Sequence, residues 1–193
     1  GLILKKALSL VEDEFDYVLL DCPPVLGVLM VNALAACDKI IVPVQTEFLA
    51  LKGLDRMMHT LEIMAKSKDH NYAYTIVPTM YDKRVNAAAE AYNTLKQDYG
   101  DKVWSGVVPV DTRFREASQA QSPPSIFCPR SRAVYAYRNL LTHFTTTISA
   151  QPYCLPVTAI KRRNANTNGS HKKESSYYPD HVQLSRMKKG SSQ

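Results

Sequence analysis

The sequence predicts an α/β protein, a three-layer sandwich built on a mostly parallel sheet. Three observations carry that prediction. Short apolar runs of four to seven residues recur along the first three quarters of the chain, rich in β-branched residues and with little polar alternation. Near-continuous apolarity of this kind marks strands buried on both faces, as in a parallel sheet. Segments with helical period fill the gaps between the runs, giving an alternating β-α order whose crossovers are long enough to return in parallel.

The first run, residues 15–21, is Phe-Asp-Tyr-Val-Leu-Leu-Asp and ends in a carboxylate, Asp21. Residues 39–44, 72–78 and 103–109 are the next three predicted strands, each running into or close to a proline. A helix is expected over 48–66, where Leu51, Leu54, Met58, Leu61 and Ala65 share one face. A second is expected over 86–99, with Asn86 as its cap and Gly100 as its stop. A third, over 130–147, carries Val134, Tyr137, Leu140, Leu141 and Phe144. The domain organisation that follows is a folded portion over 1–148, a transition over 149–160 and a basic disordered tail over 161–193. The tail is rich in Asn, Ser, Lys and His and cannot bury enough apolar surface to offset the entropy of ordering.

Charge supports the same division. The 193 residues include 24 Lys and Arg against 18 Asp and Glu, a net charge of +6. Residues 1–160 hold 16 of each sign, so the whole excess lies in 161–193, with 8 basic and 2 acidic residues. The basic balance therefore describes a tail able to attract polyanions without sequence specificity, not a basic domain face. The longest apolar run, residues 25–37, is interrupted by Gly27 and Asn32 and is too short to span a bilayer. No secretory pattern opens the chain, and Gly1 in place of Met suggests a natural start upstream. The four cysteines form no C-x-x-C pair and the five histidines lack ligand spacing, so reduced thiols and no Cys/His metal site are expected.

Ligands of open parallel sheets bind beyond the carboxyl ends of the strands. Asp21 falls at such an end, where a carboxylate holds Mg²⁺ against nucleotide phosphates, although an Asp there also suits a helix N-cap. Its context is more specific. Residues 21–38, DCPPVLGVLMVNALAACD, resemble the Walker B and switch II region of the ParA/Soj branch of the MinD-ParA P-loop ATPases. Residues 40–54 are similar to the strand and helix that follow in that family. TMYDKRVN at 79–86 resembles its T-M-(Y/F)-D-x-R-(T/V)-N segment, and VPVDTRFREA at 108–117 its I-P-x-(D/N)-x-(R/K)-(F/L)-x-E-A loop. Residues 129–141 resemble its S-R-G-x-x-A-Y helix, with Ala133 where Gly is usual. Four motifs in the right order over residues 10–147 carry the resemblance.

The resemblance implies roles residue by residue. Asp21 is the Walker B acid and Mg²⁺ holder. Pro23, Pro24 and Gly27 belong to the switch II turn that senses the γ-phosphate. Thr79, Met80, Pro109, Val110 and Asp111 line the adenine pocket, partly through backbone groups, and Arg113 and Arg132 contact DNA. The plainer readings are a rigid turn for Pro23-Pro24, a core position for Met80 and surface ion pairs for the two arginines. The family's deviant Walker A loop has no counterpart: no G-K-S/T occurs in the sequence. The resemblance therefore implies that roughly a hundred residues, with that loop and switch I, precede Gly1 in the complete protein. It also implies an apolar seam where the P-loop strand would pair.

The function so implied is that of an ATPase partitioning chromosomes or plasmids, or positioning protein clusters. It acts as an ATP- and Mg²⁺-dependent homodimer on non-specific DNA, under a ParB-like or other hydrolysis-stimulating partner. The implied place is the cytoplasm, on the nucleoid or at a pole, without a membrane partner; this chain alone is expected not to hydrolyse ATP. The alternatives are a non-catalytic DNA- or partner-binding positioning protein of the same fold and a simple DNA-binding module. A MinD-like membrane positioner is disfavoured by the few apolar residues in 180–193.

Overall fold

The computed structural model describes residues 3–11, 13–22, 27–68 and 71–148. The expectations for the 149–160 transition, the 161–193 tail, Pro23 and Pro24 lie outside those residues. The described chain forms two compact units, one within Gly1–Ile41 and one within Val42–Pro152.

In the first unit, α1 (Ile3–Ser9) packs against α2 (Val28–Ala36). Leu8 is the buried residue of α1, and Met30, Ala33, Leu34 and Ala36 are those of α2. Lys5 and Lys6 lie within α1, exposed, and Lys6 sits in its last turn, where a cation suits the helix dipole. The segment expected as the first strand does not form one. Val18 and Leu20 are buried while Leu19 is 46% exposed, the two-residue alternation of a strand. Yet no backbone hydrogen bond ties Phe15–Asp21 to a neighbour among the described residues. A strand exists only as one side of a ladder, and the inward-outward pattern here has no partner beside it among the described residues.

The second unit opens within β1 (Ile40–Gln45), which pairs with β2 (Tyr74–Thr79). β1 buries Ile40, Val42 and Val44 and exposes Pro43 and Gln45, the profile of an edge strand that tolerates proline. β2 buries four consecutive residues, Thr75 to Pro78, as a strand covered on both faces must. The fourth expected strand is reduced to two parallel bridges, Ile76 with Val103 and Tyr81 with Pro109. Between them the chain bends at Ser105-Gly106, and the Trp104 ring folds over Gly106 so closely that a Cβ there would sit 2.6 Å from it.

Helices α3 (Phe48–Lys68) and α4 (Asn86–Tyr99) pack together, burying Leu54, Met58 and Leu61 from one and Ala88, Ala91 and Leu95 from the other. Asn86 is the first helical residue and not the cap. Val85 takes the cap position, after the Asp82–Val85 turn closed by a 3.0 Å backbone bond. Gly100 does end α4, at φ +50°, a left-handed conformation that an L side chain resists. Two short helices absent from the sequence expectation follow, α5 (Arg113–Gln119) and α6 (Pro124–Phe127), and then α7 (Arg132–Ile148). α7 starts at Arg132 because the fully buried Ser131 caps it, its Oγ accepting the Val134 N–H at 3.1 Å. Its buried stripe is Ala133, Val134, Ala136, Leu140 and Phe144. Tyr137 and Leu141, expected inward, are 47% and 41% exposed, and Tyr137 stacks on Phe114 instead. No described helix is long and apolar enough to cross a membrane.

Candidate functional site

The carboxyl ends of β2 and of the 103–109 segment lie side by side, because Tyr81 N–H donates to the Val108 carbonyl at 3.1 Å and Val110 N–H to that of Tyr81 at 3.2 Å. Buried Thr46, just past β1, ties in a third chain. Its N–H donates to the Thr79 carbonyl at 3.1 Å, and its hydroxyl reaches the Thr79 and Met80 carbonyls at 3.4 and 3.5 Å. Met80 leaves the strand at φ +54° with its side chain 48% exposed, so it is not a core residue. That conformation is uncommon for a long side chain and turns the chain sharply at the strand's end.

Beyond these ends opens a cleft of about 600 Å³. One wall is Tyr81 to Arg84, the other runs from Pro109 to Arg113, and Arg132 at the start of α7 also faces it. Two Asp-x-Arg turns of the same design shape its charge. In the first, Asp82 accepts the Arg84 backbone N–H at 3.0 Å, its Nε at 2.9 Å and its Nη2 at 2.6 Å. In the second, Asp111 accepts the Arg113 backbone N–H at 3.1 Å, its Nε at 3.1 Å and its Nη2 at 3.2 Å. The Arg84 hydrogen bonds hold the Asp82 carboxyl down at about 2. Asp111 is also held below the usual carboxylate range, by Arg113 first and with a smaller contribution from the Ser131 hydroxyl. The second turn is the firmer one. Asp111 is 8% exposed and linked to the cap of α7, whereas Arg84 is 83% exposed. Lys83 and Arg132 have no ion-pair partner among the described residues.

Five sequence-predicted residues, Pro109, Val110, Asp111, Arg113 and Arg132, thus line one cleft, and Thr79 and Met80 end the strand that leads into it. Arg113 does form a surface ion pair, with Asp111, while facing the cleft. Tyr81, Asp82, Lys83, Arg84 and Thr46 escaped sequence reasoning as site residues. The repeated Asp-x-Arg at 82–84 and 111–113 was the available signal.

Asp21 and Gly27 belong to the first unit. Asp21 is exposed at the end of its apolar segment. Gly27 precedes α2 at φ −121°, ordinary extended backbone, and a Cβ there meets nothing within 4 Å. Local sterics therefore do not require glycine at this position. No group of three His, Cys, Asp or Glu side chains could hold a metal among the described residues. A single exposed carboxylate suits Mg²⁺, which keeps water and substrate phosphates as its other ligands, and does not suit a dedicated cage.

Comparison with known proteins settles the lineage. The sequence is 36% identical over 138 residues to the sporulation initiation inhibitor protein Soj of Bacillus subtilis, covering 71% of this chain and 54% of that protein. It is 34% identical over 140 residues to the chromosome-partitioning ATPase Soj of Treponema pallidum, covering 72% and 55%. With the chromosome partitioning protein ParA of Caulobacter vibrioides it shares 37% over 127 residues, covering 65% and 48%. The chain belongs to the ParA/Soj family. It spans about half the length of the curated ParA/Soj relatives it matches. The family model of an AAA domain matches residues 1–74. Among solved structures, cobyrinic acid a,c-diamide synthase from Mycobacterium smegmatis matches with a TM-score of 0.59 at 28% identity, over 78% of this chain and 55% of that one. A second structure of that enzyme, with bound ADP and magnesium, matches with a TM-score of 0.57 at 27% identity, over 79% and 56%. The α/β architecture with parallel pairing is therefore of the P-loop NTPase type.

Proposed function

We propose that this chain is the base-edge and DNA-contacting portion of a partitioning ATPase, whose nucleotide state controls non-specific DNA binding. The observation that carries the proposal is the cleft itself. Arg113, Arg132, Arg84 and Lys83 face one opening at the carboxyl ends of the strands, beside the backbone of Thr79–Met80 and Pro109–Asp111. Guanidinium groups suit phosphodiester oxygens because their planar forks match two oxygens at once.

In this reading the Asp21 carboxylate helps hold Mg²⁺, and Gly27 lies in the turn that responds to the γ-phosphate. Thr79 and Met80, with the Pro109–Asp111 loop, line the adenine pocket, partly through backbone groups that the Thr46 and Tyr81 hydrogen bonds leave open. When bound, Mg-ATP supplies a phosphoryl group whose transfer to water ends the assembled state. Arg113 and Arg132 then bind DNA phosphates in a homodimer and release them when the dimer parts. A ParB-like or similar partner stimulates that release, and the cycle moves chromosomes, plasmids or protein clusters along the nucleoid. Arg113→Gln and Arg132→Gln each weaken binding of an arbitrary-sequence duplex; unchanged affinity in both contradicts the proposal.

A second reading is favoured by the cleft's four cations, Lys83, Arg84, Arg113 and Arg132, whose contacts with a polyanion need no bound nucleotide. Here the chain acts as a non-catalytic DNA- or partner-binding positioning protein. In both readings this chain alone does not turn over ATP, since the backbone cradle for the phosphates is the main source of affinity. Titration of the purified chain with Mg-ATP, together with a phosphate-release assay, tests this. Micromolar affinity with measurable turnover is the contrary result.

A further inference from the structure

Arg84 carries no role in the resemblance, yet it faces the same cleft as Arg113 and Arg132. Its guanidinium offers five N–H donors. The Asp82 carboxylate engages the Nε edge, taking Nε–H and one Nη2–H, and Asp111 takes the same two donors of Arg113. In both side chains the two N–H groups of Nη1 and the second of Nη2 have no protein acceptor among the described residues. Each arginine is thus gripped along one edge and free at its end, the geometry that receives a second oxyanion with two hydrogen bonds.

We propose that Arg84 is a third phosphate-binding guanidinium of this cleft, and that Asp82 is its positioning residue. The inference rests on the DNA-binding reading above and adds a contact and a device to it. Four cations, Lys83, Arg84, Arg113 and Arg132, face two carboxylates, an excess of two positive charges. Both carboxylates point their oxygens into the forks, so their charge is directed at the arginines and not into the opening. Holding Arg84 in place also lowers the side-chain entropy lost on binding, which otherwise erodes the contribution of a long, exposed arginine. The effect at Arg84 is smaller than at Arg113, because Asp82 is more exposed than Asp111.

The test is equilibrium binding of an arbitrary-sequence linear duplex by the native protein with Mg-ATP, measured across a salt series. The variants are Arg84→Gln, Arg84→Lys and Asp82→Asn, with Arg113→Gln as reference. Arg84→Gln weakens binding about tenfold, as for loss of a charged hydrogen bond. It also flattens the slope of log affinity against log salt by about 0.9, the signature of one phosphate contact. Arg84→Lys restores the slope and only part of the affinity. Asp82→Asn separates positioning from charge, because it removes a negative charge while conserving shape. Charge alone makes Asp82→Asn bind DNA more tightly; positioning makes it bind several-fold more weakly, with a flatter salt slope. Tighter binding by Asp82→Asn overturns the positioning role. Full affinity in Arg84→Gln, beside a loss in Arg113→Gln, overturns the Arg84 contact and leaves the DNA reading standing. Full affinity in both overturns the DNA reading, and this inference with it. Should Arg84→Gln melt early, Arg84→Lys and Asp82→Asn carry the test.

Discussion

Thr46 and Thr79 are joined twice: the Thr46 N–H donates to the Thr79 carbonyl at 3.1 Å, and the Thr46 hydroxyl reaches the same oxygen at 3.4 Å. The hydroxyl also lies 3.5 Å from the Met80 carbonyl, so one buried side chain braces both residues at which the chain turns out of β2. The turn is held from the β1 side by Thr46 and from the other by the Tyr81 ladder.

Thr46→Val keeps the backbone bond and the side-chain volume and removes only the hydroxyl. The expected loss is about 1 kcal/mol, the net contribution of one buried hydrogen bond. Chemical denaturation measures it. An unchanged midpoint at unchanged slope means that the hydroxyl does not brace the turn.

Met80 adopts φ +54° with a side chain 48% exposed, so substitutions there report backbone conformation with little loss of packing. Glycine relieves a left-handed cost of about 1–2 kcal/mol but adds unfolded-state entropy of about 0.5–1 kcal/mol. Met80→Gly is therefore expected to be neutral or slightly stabilising. Met80→Val, β-branched, should be less stable than Met80→Gly by about 1 kcal/mol or more. Equal melting temperatures for the two variants contradict the assigned turn.

Much of the fold was legible because helical period survives in sequence. The stripe Leu54, Met58 and Leu61 named α3, and Gly100 marked the end of α4 through a conformation other residues resist. Strands were less legible because a strand is a relation between two segments. Phe15–Asp21 has the composition and the burial alternation but no ladder beside it among the described residues. Residues 103–109 have a partner, but Trp104 over Gly106 interrupts the pairing in a way no propensity encodes. The site was legible where strand ends gather residues, as with Pro109, Val110 and Asp111. Arg84 was marked only by the repeated Asp-x-Arg spacing, which does not by itself show that the carboxylate and guanidinium close into a fork.

Two glycines make a matched pair of opposite expectation. A Cβ at Gly106 lies 2.6 Å from the ring of Trp104, itself only 6% exposed and unable to swing away freely. Gly106→Ala should cost about 1–3 kcal/mol, the range for overpacking a buried site. Gly27→Ala meets nothing within 4 Å, and its φ of −121° suits any residue, so its stability should change by less than about 0.5 kcal/mol. Thermal melts of both variants check the contrast, and equal losses contradict it.

Tyr99 donates its hydroxyl to Asp55 at 3.1 Å, and burial first, then that carboxylate, push its phenol up to about 12. The folded state thus holds this proton more tightly than the unfolded state, whose tyrosine titrates near 10. The stability so linked is fully present below about pH 10 and is lost as pH rises from there toward 12. Burial also raises Tyr74 and Tyr137, so absorbance titration should show several late phenolates in the folded protein, with the Tyr99 component near pH 12. Tyr99→Phe should remove that component and lessen the alkaline loss of stability.

The measurement closest to the central claim is the affinity of the native protein for an arbitrary-sequence duplex with Mg-ATP, with Mg-ADP and without nucleotide. The account predicts tight binding only with Mg-ATP, steeply salt-dependent and reduced in Arg113→Gln and Arg132→Gln. Equal affinity in all three nucleotide states would contradict it and make the cleft a simple DNA-binding surface, independent of any nucleotide cycle.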